Sequence, residues 1–304
     1  MTKRVFMFPG QGAQYIGMGK EFFDRFPVSR AAYDMASEIT GLDIAGLCFE
    51  DNDKINITEY TQICMLTTET AIYAALKEQG IEPDYTAGLS LGEYGALVAS
   101  GVVSMKDAFS IVRKRGCYMQ EAVPTGGAMS AVLGLGADEI EKICTDTDGM
   151  VSIANYNCPG QIVITGEEKA VGEAGEACRA AGAKRVVPLK VSGPFHSPML
   201  KTAEEKLEKA LQDIEILNFT IPYVANVTGD YVTDKAQVKP LLARQVTSSV
   251  RWQQTIERLL ADGADEFVEI GPGRTLSGFM RKINREVKTV SIDKMEDFLN
   301  YVNQ

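Results

Sequence analysis

Gly88-Leu89-Ser90-Leu91-Gly92 is the stretch that decides the fold of this 304-residue chain. The serine lies between a short apolar segment at residues 87–89 and a run of mainly small residues at 91–100. The first segment predicts a buried strand, and the second predicts a helix that stops at a glycine, Gly101. Glycines on both sides let the strand and the helix approach closely, and the tight turn directs the serine hydroxyl away from the backbone.

Strand-like and helix-like segments alternate on both sides of this turn. The segments outside the middle of the chain are predicted strands at 5–8, 266–270 and 287–291 and predicted helices at 60–79 and 275–283. Alternation of this kind is typical of a parallel sheet covered by helices on both faces. We therefore predict an α/β fold.

The middle of the chain has a different order of elements. It reads as strand 128–135, helix 137–147, strands 151–154 and 161–165, helix 167–181 and strand 185–189. This β-α-β-β-α-β order is that of the ferredoxin-like unit. We predict a small subdomain at 125–192, inserted into a larger body formed by 1–124 and 193–304.

Composition and charge exclude several classes of protein. The chain is 45% hydrophobic and 24% charged, which is an ordinary globular composition. The net charge of −10 argues against general nucleic-acid binding, because the phosphate backbone would repel the molecule. The six cysteines include no CxxC pair, so we expect reduced thiols of the cytosol and neither a disulfide framework nor a metal site.

No segment of the sequence is predicted to enter a membrane. The apolar run near the N-terminus is interrupted by Pro9 and is too short for a secretory signal. No later stretch is long and apolar enough to cross a bilayer. We expect a soluble, cytoplasmic protein with no membrane partner.

Ser90 is the candidate nucleophile, and His196 is the candidate base. A serine hydroxyl needs a base to take its proton, and the chain contains one histidine. His196 lies in the turn-rich segment 192–198 after a predicted strand, where α/β folds place site residues. The alternatives remain a simple strand-to-helix turn at Ser90 and a packed or surface histidine at position 196.

Two further motifs follow predicted strands. Residues 8–14 read Phe-Pro-Gly-Gln-Gly-Ala-Gln, and residues 271–273 read Gly-Pro-Gly. Neither matches a dinucleotide-binding or P-loop spacing. They are either turns alone or carriers of backbone donors and polar side chains to the sheet edge that holds Ser90.

Six motifs in one order carry a resemblance that covers essentially the whole chain. They are Gly-Gln-Gly-Ala-Gln, Gly-x-Ser-Leu-Gly-Glu, Gln-Glu-Ala-Val-Pro, Asn-Tyr-Asn-x-Pro-Gly-Gln, Phe-His-Ser and Glu-Ile-Gly-Pro-Gly. The sequence resembles the malonyl-CoA:acyl carrier protein transacylases of bacterial type II fatty acid synthesis and the related acyltransferase domains of polyketide synthases. The family fold is an α/β-hydrolase-like core with a ferredoxin-like insert, in agreement with the predicted layout.

The resemblance implies a set of catalytic roles. Ser90 matches the family nucleophile and His196 its general base. Gln11 falls at an oxyanion-site position, where it acts with the backbone amide of Leu91. Gln245 matches the residue whose main-chain carbonyl orients the histidine.

It also implies how the substrate is bound. Arg115 matches the arginine that holds the free carboxylate of malonate, although its basic neighbours would also suit a surface helix. Asn157 matches a residue that lines the site, and Phe195 resembles the residue of malonyl-selective members. One position departs from the family pattern: Leu89 replaces the histidine that commonly precedes the nucleophile.

The function implied is transfer of malonyl from malonyl-CoA to the phosphopantetheine thiol of acyl carrier protein, through a malonyl-serine ester in a ping-pong mechanism. Coenzyme A enters as a substrate thioester, no cofactor is expected, and we expect a monomer. The alternatives are a serine esterase or thioesterase, a polyketide-type acyltransferase with a related extender unit, and a non-catalytic carrier-binding scaffold. Two basic clusters are candidates for docking the acidic carrier: Lys184, Arg185 and Lys190, and Arg274, Arg281, Lys282 and Arg285.

Overall fold

The computed structural model describes residues 2–191 and 193–304. Met1 and Ser192 lie outside the described residues, and so do the corresponding ends of the predicted body and insert and the first residue of the turn-rich segment before His196. The strands are β1 (Arg4–Phe8), β2 (Tyr85–Gly88), β3 (Gly127–Leu133), β4 (Val151–Cys158), β5 (Gln161–Glu167), β6 (Arg185–Pro188), β7 (Val224–Ala225), β8 (Asp230–Tyr231), β9 (Glu266–Ile270) and β10 (Lys288–Ile292).

Thirteen α-helices pack around the strands in the described residues. They are α1 (Lys20–Arg25), α2 (Pro27–Thr40), α3 (Ile44–Phe49), α4 (Thr58–Glu78), α5 (Gly92–Ala99), α6 (Met105–Ala122), α7 (Ala137–Asp146), α8 (Glu168–Ala180), α9 (Lys201–Ala210), α10 (Val238–Gln245), α11 (Trp252–Ala261), α12 (Thr275–Ile283) and α13 (Met295–Val302). Short 3₁₀ turns lie at Pro198–Leu200, Leu211–Asp213 and Lys235–Gln237. Within the described residues, no helix is both long and apolar enough to cross a membrane.

A parallel sheet forms the centre of the larger part of the molecule. Its strand order is β10-β9-β1-β2, and every pairing is parallel. Successive residues of β1 point to opposite faces, so Phe6 and Phe8 pack with α4, α5 and α13, whereas Val5 and Met7 pack with α11 and α12. The predicted parallel sheet with helices on both faces is confirmed.

The middle of the chain folds around a second, antiparallel sheet. Its strand order is β4-β5-β3-β6, with α7 and α8 packed on one face. The predicted order of elements is confirmed. The predicted strand 151–154 is too short, because β4 continues through Asn155 and Asn157 to Cys158, with register shifts along the way. These asparagines interrupt the apolar run in the sequence and line a cleft in the structure.

Several helices of the larger part are not signalled by the sequence pattern. No element was predicted at residues 20–49 or 201–261, where the structure has α1–α3 and α9–α11. Helix α9 begins Lys-Thr-Ala-Glu-Glu-Lys and buries only a narrow stripe, which explains why its apolar signal is weak. We call residues 125–191 the insert segment and the other described residues the body.

Hydrogen bonds at residues 249–250 and at Lys282 tie the body to the insert segment, and Ser249 Oγ donates to the carbonyl of Ile153 at 2.6 Å. The amide of Val250 donates to the carbonyl of Ala154 at 2.8 Å, and its carbonyl accepts from the amide of Tyr156 at 2.9 Å. The Lys282 ammonium donates to Gln161 Oε1 at 3.0 Å. The two hydrogen bonds of Val250 form a parallel β-bridge with Asn155 of β4. The insert segment therefore shares backbone hydrogen bonds with the chain that follows α10.

Candidate active site

The turn around Ser90 joins β2 to α5 with very close backbone packing. A Cβ atom on Gly88 would collide with the carbonyl oxygen of Gly92, and one on Gly92 would collide with that of Phe8. Ser90 has φ = 53°, a left-handed conformation that is uncommon for a residue with a side chain. The predicted strand–turn–helix context is confirmed, and the strain is local to the residue whose hydroxyl is presented to the cleft.

The side chain of Asn226 hydrogen-bonds to the backbone of this strained turn. Its Oδ1 accepts from the amide of Ser90 at 2.6 Å, and its Nδ2 donates to the carbonyl of Gly88 at 2.6 Å. Asn226 is 1% exposed. One side-chain amide therefore satisfies backbone groups on both sides of the turn, and the sequence analysis did not identify it.

Ser90, His196 and Gln245 form a hydrogen-bonded chain. His196 Nδ1 lies 2.8 Å from the main-chain carbonyl of Gln245, and Nε2 lies 2.8 Å from Ser90 Oγ. A carbonyl oxygen only accepts, so Nδ1 carries the proton and the lone pair of Nε2 faces the serine hydroxyl. The carbonyl is available because Gln245 is the last residue of α10, where helical carbonyls lack partners within the helix.

The imidazole of His196 is neutral over a wide range of pH. Burial, and to a smaller extent the nearby Arg115 cation, lower the pKa of His196 to about 4, against the opposing hydrogen bond to Gln245. A neutral imidazole can accept a proton. His196 also adopts a left-handed conformation, with φ = 59°.

Arg115 lies inside the cleft, so the surface-helix alternative is wrong. It is 1% exposed, although Arg113 and Lys114 beside it on α6 are partly accessible. Its Nη1 donates to Gln62 Oε1 at 2.6 Å, and its Nη2 donates to Gln245 Oε1 at 2.9 Å and to Ser90 Oγ at 3.2 Å. Its Nε has no partner among the described residues. Burial lowers the pKa of Arg115, and its guanidinium lies 5.5 Å from the centre of the Tyr94 ring.

A buried carboxylate next to this network was also missed. Glu93 is 1% exposed, and its Oε2 accepts from Gln245 Nε2 at 2.6 Å and from the amide of Asn226 at 3.2 Å. Burial raises the pKa of Glu93 to about 7, although the hydrogen bonds and Arg115 oppose this shift. A signal was present: Glu93 completes the Gly-x-Ser-Leu-Gly-Glu motif, and an acidic residue in the first helical turn is favourable there.

The remaining predicted site residues line the same cleft. Gln11 is partly buried, and its Nε2 donates to Thr58 Oγ1 at 3.1 Å. Leu91 caps α5 and is 1% exposed. Phe195 and Asn157 also face the cleft, and Asn157 Oδ1 has no partner among the described residues.

The cleft is small and lies between the body and the insert segment. It holds roughly 200 Å³ of free space. Pockets for drug-sized ligands are typically about 300–1,000 Å³. The space beside Ser90 therefore suits a short acyl group better than a long chain. No group of three or more metal-ligating side chains is placed to hold an ion in residues 2–191 and 193–304.

Comparisons with known proteins identify similar chains. The family model described as acyl transferase domain matches residues 5–295. The malonyl CoA-acyl carrier protein transacylase of Bacillus subtilis is 46% identical over 301 residues, covering 97% of this chain and 95% of that protein. A crystal structure of MCAT from Streptococcus pneumoniae superposes with a TM-score of 0.96 at 44% identity, covering 99% of both chains. The malonyl-transacylase of a complex with its type II PKS acyl-carrier protein superposes with a TM-score of 0.96 at 37% identity, covering 99% of both chains.

Proposed function

The chain belongs to the acyl transferase family, and from this premise we propose that it moves a malonyl group from malonyl-CoA to the phosphopantetheine thiol of acyl carrier protein. It is an acyltransferase, and the similar proteins named above are malonyl transacylases. The observation that carries the proposal is the position of a buried cation, Arg115 Nη2, 3.2 Å from the hydroxyl of the candidate nucleophile Ser90.

In the first half-reaction Ser90 Oγ attacks the thioester carbonyl of malonyl-CoA. His196 Nε2 takes the hydroxyl proton as the new C–O bond forms. The carbonyl oxygen becomes an oxyanion, for which we propose the amide of Leu91 and the side chain of Gln11 as donors. The C–S bond then breaks, and the departing coenzyme A sulfur takes the proton from His196, leaving a malonyl ester on Ser90.

The second half-reaction reverses these steps with a different thiol. The phosphopantetheine thiol of the carrier gives its proton to His196 and attacks the serine ester. Collapse of the intermediate returns the proton to Ser90 Oγ and releases malonyl carrier. The exchange of one thioester for another through an ester is nearly balanced, so the reaction is reversible.

Arg115 explains why malonyl is preferred over acetyl. The two groups differ by a carboxylate, which a guanidinium binds through two parallel charge-assisted hydrogen bonds. The unpartnered Nε and the Nη2 that reaches Ser90 provide such a pair of donors. Arg115 is already desolvated and held by Gln62 and Gln245, so little reorganisation is needed when the carboxylate arrives.

The rival readings are weaker because of what surrounds the serine. A hydrolase must admit water to the acyl-enzyme, whereas this cleft is small and Ser90 is only partly accessible. A non-catalytic scaffold has no use for a serine, a histidine and a buried arginine within hydrogen-bonding distance. A polyketide-type extender unit remains compatible with the same residues, and Phe195 in the cleft favours unsubstituted malonyl.

We also propose the finer features of fold and context. The strand order β4-β5-β3-β6 supports a ferredoxin-like insert at 125–192, and the serine turn after β2 supports an α/β-hydrolase-like core of 1–124 and 193–304. The pathway served is fatty acid synthesis. A cytoplasmic location, a monomeric state and the absence of a cofactor stay predictions from the sequence.

Intact-protein mass spectrometry tests the proposed function. Wild-type protein exposed briefly to malonyl-CoA should gain one malonyl adduct, and the desalted adduct should disappear on addition of carrier that bears phosphopantetheine. Ser90→Ala should gain none, which is the largest effect expected of any substitution here. Release of free coenzyme A with no adduct on wild type would instead indicate a hydrolase.

A further inference from the structure

Gln245 contributes two different groups to the site. Its main-chain carbonyl accepts from His196, and its side chain lies between Arg115 and Glu93. Only the first of these, the main-chain carbonyl, was predicted from the sequence. The side chain is 0% exposed, so each of its polar atoms depends on the partners that the fold supplies.

The direction of the Gln245 amide follows from its neighbours. Arg115 has only donors, so the atom that faces it must be Oε1, at 2.9 Å from Nη2. The carbonyl of Ser90 only accepts, so the atom that faces it must be Nε2, at 2.9 Å. A flipped amide would place a donor against the guanidinium and an acceptor against a carbonyl, so one direction is strongly preferred.

Of the hydrogen bonds that fix the orientation of the Gln245 amide through its Nε2, the one to Glu93 is the shortest. Its Oε2 lies 2.6 Å from Gln245 Nε2, compared with 2.9 Å for the carbonyl of Ser90 and 3.3 Å for Asn226 Oδ1. The same oxygen accepts from the amide of Asn226, the residue that holds the Ser90 turn. Glu93 therefore connects the support of the nucleophile to the support of the carboxylate-binding arginine.

We propose that Glu93 is a positioning residue that sets malonyl selectivity, by holding the Gln245 amide so that its Oε1 fixes the guanidinium of Arg115. This inference rests on the proposed function. Glu93 makes no hydrogen bond to the Ser90 side chain or to the guanidinium, so its hydrogen-bonded route to Arg115 runs through Gln245. Its charge also attracts Arg115 directly, and Glu93→Gln separates that attraction from the hydrogen bond. Its role is to supply an acceptor, and a neutral side chain with an oxygen at the same place should serve nearly as well.

The test measures the ratio of kcat/KM for malonyl-CoA to that for acetyl-CoA. This ratio does not depend on the fraction of folded enzyme, so a purely structural role leaves it unchanged. We expect Glu93→Ala to lower the ratio about tenfold, the order of one hydrogen bond to a charged group acting indirectly. Glu93→Gln keeps an acceptor oxygen and should stay within about threefold of wild type.

Two controls separate positioning from other effects. Glu69→Gln changes a second fully buried glutamate, on α4, whose carboxyl makes no hydrogen bond to the described residues, and it should leave the ratio unchanged. In an Arg115→Ala background, Glu93→Ala should not lower the ratio further, because the guanidinium through which it acts is gone.

The outcomes are distinguishable from failure of the proposed function. A wild-type enzyme without preference for malonyl would refute the function whatever Glu93 does. With that preference established, an unchanged ratio in Glu93→Ala, or a further loss on top of Arg115→Ala, would overturn the inference. If Glu93→Gln lowered the ratio as much as Glu93→Ala does, the charge of Glu93 and not its acceptor oxygen would matter, and the inference would be overturned as well.

Discussion

The two walls of the cleft differ in what they contribute. The body wall carries the hydrogen-bonded groups around the serine: Ser90, Arg115, His196 and Gln11 line it. The insert wall is formed by uncharged side chains, namely Met129, Asn155, Asn157, Val163, Leu189 and Val191. Under the proposed function, the groups for chemistry and carboxylate recognition all belong to the body, whereas the insert segment supplies an uncharged wall of the cleft.

Removing the body cation should produce the larger of the expected selectivity effects. Arg115→Ala should lower the preference for malonyl-CoA over acetyl-CoA on the order of 10³-fold. This estimate lies between the discrimination that a single methylene provides and the larger discrimination of a site built to bind a polar group. The reason is that no other cation lines the cleft in the described part of the chain. Competing malonyl and acetyl adducts on Ser90 can be counted by mass spectrometry.

A matched control lies on the same helix. Arg113 is partly accessible and pairs with Glu59 at 3.1 Å, outside the cleft. Arg113→Ala also removes one positive charge from α6 and should leave the preference within about twofold, since Arg113 does not line the cleft and charges near the surface are screened by solvent. A similar loss in both variants would mean that general charge, and not the position of Arg115, selects malonyl.

The pH dependence of loading sharpens the same contrast. His196 must be neutral to accept a proton, so loading from acetyl-CoA should fall only as pH approaches about 4, the lowered pKa of His196. In Arg115→Ala the repulsion between two buried cations is gone, so the pKa of His196 should rise and the acid limb should move to higher pH. Single-turnover acylation of both enzymes from about pH 3 to about pH 8, a range that brackets the lowered pKa of about 4, measures the two acid limbs.

Stability changes in the same window and needs its own control. The folded pKa of His196 lies below its ordinary value of 6.5, so the unfolded chain binds the proton first as pH falls. This part of the stability is complete above about pH 6.5 and is lost progressively toward pH 4. Circular dichroism at each pH separates unfolding from protonation of the base; an acid limb that did not move in Arg115→Ala would contradict the electrostatic argument.

The smallest expected effect concerns the outer surface of the insert segment. Lys184→Glu with Arg185→Glu should raise the KM for carrier about three- to tenfold at low salt, because complementary charge mainly speeds encounter. Loading from malonyl-CoA should be unchanged, since both side chains are exposed and neither lines the cleft.

The body offers a matched pair for that experiment. Arg281 and Arg285 are exposed at the end of α12, beside a surface depression of roughly 650 Å³. Arg274 of the same cluster is already paired with Asp297 at 3.1 Å. If Arg281→Glu with Arg285→Glu raises the carrier KM and the insert pair does not, the carrier docks on the body.

Sequence reasoning predicted what local patterns encode. The β2–Ser90–α5 turn, the strand at 266–270 and the helix at 275–283 are each signalled by a short apolar run and nearby glycines, and the structure confirms them. The βαββαβ order of the middle was readable for the same reason. The roles of Ser90 and His196 were suggested by the strand–turn–helix context and by the single histidine of the chain, and the role of Arg115 by the family resemblance; all three stay predictions until they are tested.

The supporting residues could not be read from local patterns. Asn226 meets Ser90 across 136 positions of chain, and Gln245 meets Glu93 across 152. A polar residue in an apolar segment, such as Gln62 in α4, looks like an interruption until its partner is known. Only the packing of α4 against α6 shows that Gln62 holds Arg115.

The backbone bridge at Val250 has a consequence for engineering. Val250 hydrogen-bonds to β4 on both sides of Asn155 and lies five positions after Gln245, which carries the acceptor for the histidine. In a chimaera that exchanges only residues 125–191 for those of a relative, the new β4 must pair with the original Val250. This contact lies far in sequence from both ends of the exchanged segment. A graft that also transfers residues 246–251 takes β4 and the segment that pairs with it from the same relative. We expect such grafts to retain malonyl loading of Ser90 where exchange of 125–191 alone loses it.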